Sequence, residues 1–241
     1  STAEFLLGSL LLLYRRGVVN AIGGGQQGTA VIGRELAGST VGLLGLSPTA
    51  HTLAALLNAL GAQVIGYDPA IHRSSELWQR LRVEPVALAE LVGRADGVSV
   101  QMLYASRFQG FIGAKLLGAC KKGQLWVSTS RSSLLDAQAL AAALSDGRIE
   151  ACLIDGAEAG FAGEGSPLKG QPNLYLTPRL GSLTHEAMGR ASWYVAHRLH
   201  EVLSDAKVSG VGRLATRPAE LELPTNVPLN SSYTEPDFII R

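Results

Sequence analysis

The sequence predicts an α/β fold with a doubly wound parallel sheet, and three observations carry that expectation. Short apolar runs alternate with longer stretches of helical spacing from Thr40 to about Thr177. The first of these units, Thr40 to Asp68 (TVGLLGLSPTAHTLAALLNALGAQVIGYD), reads as strand, tight turn, helix and strand, with an acid closing the second strand. Hydrophobic residues make up 46% of the 241 residues and charged residues only 17%, which is enough apolar material for a sheet covered on both faces.

The elements follow in chain order. Phe5 to Leu13 (FLLGSLLLL) is expected to form a helix buried on most of its surface, against a domain or a partner subunit. Glu4 precedes it instead of a positive charge, and no small-residue cleavage site comes before Tyr14-Arg15-Arg16, so it is not read as a signal peptide. It is also too short to span a bilayer. Gly17 to Gly33 carries six glycines and two glutamines and is expected to be an exposed arm. Val41 to Gly45 is a buried strand, Thr49 to Leu60 a helix with Pro48 in its first turn, and Gln63 to Tyr67 the second strand.

Residues 71–93 are less regular, with helical stretches through Leu77-Trp78 and Leu88 to Leu91. Val98 to Met102 reads as a strand, Ile112 to Ala119 as a helix, and Gln124 to Ser128 as a strand. A helix begins near Asp136 and runs to Leu144, followed by strands at Ala151 to Ile154 and Leu174 to Thr177. Thr184 to Leu203 is a long closing helix. Beyond Ser209 the chain holds Pro218, Pro224, Pro228 and Pro236, and is expected to be an extended arm.

Composition excludes several classes. The formal net charge is +1 and the longest basic run is Lys121-Lys122, so no nucleic-acid partner is expected. Cys120 and Cys152 each lie in or beside apolar stretches, as buried reduced thiols of a cytoplasmic protein would. No cluster has metal-ligand spacing, no Ser-His-Asp arrangement stands out, and no membrane association is expected.

The turn after the first strand has the place of a dinucleotide-binding turn but not its usual residues. Such a turn wants glycine for the tight bend, for close approach of the pyrophosphate, and for helix–strand packing. Those places hold Gly45, Ser47 and Ala50. Ala50 is an accepted substitute, whereas Ser47 adds bulk and offers a hydroxyl to a phosphate oxygen. Pro48 deletes a backbone N–H at a helix N-terminus, where free N–H groups bind anions. Thr49 completes the segment. Asp68 suits the ribose hydroxyls and repels a 2′-phosphate, so a cofactor here should be NAD. The other reading is an inherited turn that joins strand to helix and holds no ligand.

Later segments extend the pattern. GYDP at 66–69, ADGVSV at 95–100, IGAKLLGACKKGQLWVSTSR at 112–131, LLDAQALAAALSDGRIEACLIDGAE at 134–158 and SPLKGQPNLYLTPRLGSLTHEA at 166–187 occur in order. From about residue 1 to 203 the chain resembles the D-2-hydroxyacid dehydrogenase family. The resemblance implies a Rossmann-type domain at 34–205, preceded by a long helix and glycine-rich arm at 1–33 and followed by an extended arm at 206–241. The family's N-terminal substrate domain is missing from this chain.

The resemblance also implies site residues. Arg131, after Ser128-Thr129-Ser130, stands where the family binds the carboxylate and carbonyl of a 2-keto or 2-hydroxy acid, and Thr129 falls among the cofactor contacts. Glu158 stands where a Glu orients the catalytic His. That His normally follows Thr-Pro, but Thr177-Pro178 is followed here by Arg179. An arginine stays protonated and cannot relay a proton, so Arg179 is expected to pair with Glu158 instead. Gln101-Met102-Leu103-Tyr104-Ala105 also departs from the family's His-x-Pro-Leu segment with its following Thr. His185 and His51 are read as surface residues. By resemblance the chain dimerises through residues 1–33.

Three functional readings follow: an NAD-dependent 2-hydroxyacid oxidoreductase impaired by Arg179, a non-catalytic regulatory scaffold, or one piece of a larger protein. The second is supported by similarity to the C-terminal binding protein group and its Angustifolia branch. That branch shares a degraded turn with Ser at its second place, DGAE, and Pro-Arg for Pro-His.

Overall fold

The computed structural model describes residues 1–15, 32–103 and 105–209. The expected glycine-rich arm and the C-terminal arm lie almost wholly outside the described residues, as does Tyr104. Two compact units are present, residues 2–181 and a second made of Ser1 with the chain from Ser182 onward.

The larger unit is a seven-stranded, wholly parallel sheet in the order β3-β2-β1-β4-β5-β6-β7. Its strands are β1 (Thr40–Leu44), β2 (Gln63–Tyr67), β3 (Glu84–Pro85), β4 (Gly97–Val100), β5 (Gln124–Ser128), β6 (Ile149–Asp155) and β7 (Leu174–Thr177). The connecting helices are α2 (Pro48–Ala59), α3 (Glu76–Leu81), α4 (Leu88–Arg94), α5 (Ala114–Gly118) and α6 (Ala137–Ser145). Helix α1 (Thr2–Tyr14) precedes them, and α7 (His185–Ser209) belongs to the second unit.

Alternation along each strand divides the apolar side chains into two cores. Val41 and Leu43 of β1, Leu125 and Val127 of β5, and Ala151 and Leu153 of β6 join one core with α1, α2 and Trp78. Leu44, Trp126, Cys152 and Ile154 face the opposite way and pack with α4, α5 and α6. Both cysteines are buried and unpaired, as expected; burial pushes each thiol up to about 12, with Arg148 opposing this at Cys120.

Helix α1 resolves its own alternative. Ala3, Leu6, Leu10, Leu13 and Tyr14 recur at helical spacing and are buried, with α1 packed on α2 and β5 of the same unit. Of the two expected coverings, a domain or a partner subunit, this face has the domain. Among the described residues no helix is long and apolar enough to cross a membrane.

Most expected elements coincide with those observed to within one or two residues. The two-residue β3 escaped the sequence because its pairing, Ile65 with Glu84 and Gly66 with Pro85, is tertiary. Helix α7 runs six residues past Leu203, since no glycine or proline interrupts the chain before Gly210.

Candidate cofactor cleft and active site

In an open parallel sheet, ligands bind beyond the carboxyl ends of the strands where the order reverses, here between β1 and β4. A cleft of about 450 Å³ opens there, and Ser47, Pro48, Asp68, Ile71, Met102 and Arg107 are among its lining residues. Gly45 begins the turn at φ +95°, and a Cβ at that position would lie 2.6 Å from the Met102 amide nitrogen. Only glycine fits, both by conformation and by space. Ala50, at the third place of the turn, is fully buried.

Asp68 closes β2 and ties two segments together. Its Oδ2 accepts from the Leu46 N–H at 2.7 Å, and its Oδ1 accepts from the Ala70 N–H at 2.8 Å. The carboxylate thus fixes the turn of the neighbouring strand while lining the cleft.

Ser47 caps the helix that follows the turn. Its hydroxyl caps α2 by accepting from the Ala50 N–H at 3.4 Å and donates to Gln101 Oε1 at 3.3 Å. Gln101 is buried and donates in turn to Ser99 Oγ at 3.0 Å. The serine at the second glycine place therefore belongs to a local polar chain, with its hydroxyl proton directed at Gln101.

Residues after β5 form the second part of the site. Ser130 Oγ donates to the Met102 carbonyl at 3.0 Å and the Val100 carbonyl at 3.2 Å, and the Thr129 N–H donates to the Val100 carbonyl. The β5 turn is thus anchored on the end of β4, with Arg131 projecting from it largely exposed. Glu158 is turned toward this loop. It accepts from the Ser133 N–H at 2.8 Å and Ser132 Oγ at 3.0 Å, and it lies 3.4 Å from Arg131 Nη1. Burial pushes its carboxyl up, but the hydrogen bonds from Ser132 and Ser133 and the Arg131 charge outweigh this and hold it below the usual carboxylate range.

The expected Arg179–Glu158 ion pair is not formed. Glu158 pairs with Arg131, and no ion pair joins Arg179 to an acid among the described residues. The reason lies in the turn after β7. Arg179 adopts φ +57°, and its side-chain stem lies against Gly156. A Cβ at Gly156, itself at φ +76°, would fall 2.2 Å from Arg179 Cγ.

Asp155 holds that turn in place. It is buried at the end of β6 and accepts from Thr177 Oγ1 at 2.6 Å, the Leu180 N–H at 2.7 Å and the Gly181 N–H at 2.9 Å. Sequence reading passed over Asp155, Gly156, Ser132, Ser133 and Arg107. The signal for Asp155 was present, since it closes β6 as Asp68 closes β2.

The two candidate histidines separate. His185 opens α7 in the second compact unit and is exposed. His51, expected at the helix surface, is half-buried on α2. Burial pushes its imidazole down; the Leu46 carbonyl opposes this and the Arg80 charge adds to it. Among the described residues no group of His, Cys, Asp and Glu could hold a metal ion.

Residues 11–181 match the family described as D-isomer specific 2-hydroxyacid dehydrogenase, NAD binding domain. The chain belongs to this family. It is 31% identical over 207 residues to an (S)-sulfolactate dehydrogenase of Chromohalobacter salexigens, covering 84% of this chain and 66% of that protein. A D-3-phosphoglycerate dehydrogenase of Mycobacterium tuberculosis is 34% identical over 175 residues, covering 71% of this chain and 32% of the relative. The chain thus spans between a third and two-thirds of the length of these relatives. Among solved structures, a glyoxylate reductase from Paecilomyes thermophila has the same fold, with a TM-score of 0.72 at 24% identity over 83% of this chain and 60% of that one.

NAD is the cofactor of this family of domains. The residue that fits its adenosine half is Asp68, which lines the cleft with a carboxylate at the end of β2; the space at Gly45 is taken up by the Gln101–Met102 backbone. The pyrophosphate cradle is one N–H short, at Pro48.

Proposed function

We propose that this chain is an NAD(H)-binding domain of 2-hydroxyacid oxidoreductase lineage in which hydride transfer to a 2-keto acid is impaired. The observation that carries the reading is the turn after β7. Arg179 occupies the position of the acid/base histidine, in a left-handed backbone stapled by Asp155, and Glu158 is engaged with Arg131 and the Ser132–Ser133 loop.

Bound NAD(H) supplies or takes up the hydride. Arg131 offers its guanidinium to the substrate carboxylate, a geometry arginine suits. Arg179 holds a fixed positive charge that can attract the keto oxygen but cannot deliver a proton to it near neutral pH. Asp68 and the Gly45 turn position the adenosine half, and Thr49 and Thr129 are assigned to the cofactor by the family resemblance alone. The boundaries 1–33, 34–205 and 206–241, a homodimer through 1–33 and a cytoplasmic location belong to the same proposal.

Titration of the purified chain with NADH tests the first half, and no binding at millimolar concentration overturns it. Arg179→His, assayed with a panel of small 2-keto acids and NADH, tests the second. A gain of at least about tenfold in turnover supports the missing proton donor as the main lesion, in line with the 10²–10⁴-fold typical of general acid catalysis. An unchanged rate assigns the loss to more than the donor and favours the non-catalytic scaffold, which the hold of Asp155 on the Arg179 turn also suits.

A further inference from the structure

A dinucleotide brings two negative charges to the turn that follows β1, and this turn offers them less than usual. Pro48 has no N–H, and the Ser47 hydroxyl is directed at Gln101 Oε1. Ser106–Phe108 forms a single 3-10 turn after β4, and its Arg107 lines the same space as Ser47 and Pro48.

Arg107 is the one cation among the described residues that line the cleft. It makes no hydrogen bond or ion pair with any described residue, and its guanidinium lies over the Phe108 ring, 4.8 Å from the centroid. The cleft's carboxylate, Asp68, is held by the Leu46 and Ala70 amides. Among the described residues nothing takes up its N–H donors, and it lies over an aromatic face.

We infer that Arg107 binds the cofactor pyrophosphate and supplies the positive charge that the Ser47-Pro48 turn no longer provides. This rests on the reading that NAD(H) occupies the cleft. The donor would then be a side chain of the loop after β4 in place of the backbone at the helix N-terminus. A planar guanidinium reaches two phosphate oxygens at once, and such charge-assisted bonds are about twice as strong as neutral ones.

The test compares the full wild-type chain with Arg107→Gln and Arg107→Lys, using NADH, ADP-ribose and adenosine as probes. Arg107 is exposed, so substitution should leave the thermal midpoint unchanged. Arg107→Gln is expected to weaken NADH and ADP-ribose about tenfold and leave adenosine unaffected. Arg107→Lys should recover part of that loss, because charge returns without the fork. The wild-type affinity for ADP-ribose should fall more steeply with salt than that of Arg107→Gln.

Equal affinity of the wild type and Arg107→Gln for ADP-ribose overturns the role of Arg107 while leaving the cofactor reading intact. Failure of the wild type to bind NADH or ADP-ribose overturns both. An equal loss for adenosine also overturns the proposal, because the effect would then be on the shape of the cleft and not on the phosphates.

Discussion

Two turns of this molecule are built on the same plan and have diverged in opposite respects. The turn after β1 is tied by Asp68 at the end of β2, and the turn after β7 by Asp155 at the end of β6. In each case a carboxylate at the tip of one strand accepts backbone N–H groups from the turn of its neighbour. Asp68 does so while lining an open cleft, so it can hold a turn and meet a ligand together. Asp155 is buried, with all three of its partners inside the protein. The first turn carries Pro48, which has no N–H, beside an aspartate that lines the cleft. The second carries Arg179 where, in the proposed function, an acid/base histidine would stand. Both turns are held in the same way, because the aspartates act on backbone groups whatever side chains the turns carry.

The largest expected effect is on Asp155. Asp155→Ala should lower the free energy of unfolding by about 3 kcal/mol in urea titration, because it strands buried N–H donors. Asp68→Ala should cost only about 1 kcal/mol but weaken NADH binding strongly, since the Ala70 amide it frees is open to water. Equal stability losses for the two variants would break the comparison.

Next comes Gly156→Val. The new side chain must displace the Arg179 stem and adopt φ near +76°, at an expected cost of about 2 kcal/mol. In an Arg179→Gly background the same change should cost less, because glycine suits the +57° backbone and removes the clash. A double-mutant cycle measures the coupling, and strict additivity would show that the two positions are independent.

The smallest effect concerns His51, beside the first turn. Burial pushes its folded imidazole below the value of about 6.5 expected when unfolded, so the unfolded chain binds more protons as pH falls through that window. Stability is therefore present above pH ~6.5 and declines as the pH drops toward the folded value. His51→Gln should flatten the thermal midpoint between pH 7 and 5.5, relative to wild type. Glu158, held low by its hydrogen bonds and Arg131, loses its contribution only below its unfolded value near 4.5, outside that range.

Much of this was open to sequence reasoning. The strand at Gln63–Tyr67 and the one at Leu174–Thr177 were read to the residue, because apolar runs bounded by turn residues report burial directly. Asp68 was found from its distance to a glycine turn, and Arg131 from the family resemblance of the segment that holds it. The partners of these residues were not found. That Glu158 meets Arg131 and not Arg179 depends on which loop rises beside which strand end, and β6 lies between β5 and β7. The role of Ser47 depends on Gln101, which is 54 residues away and adjacent only because β1 pairs with β4.

The sequence by itself determined the parallel sheet, its two apolar cores and the chemical identity of the residues at the strand tips. Periodicity and residue type are local quantities, and burial follows from them. Only the tertiary structure decided how those tips pair: Asp155 with the Arg179 turn, Arg179 against Gly156, and Arg107 in the same cleft as Pro48. Those contacts join segments that are tens of residues apart, and strand order, which brings them together, leaves no periodic trace in the chain.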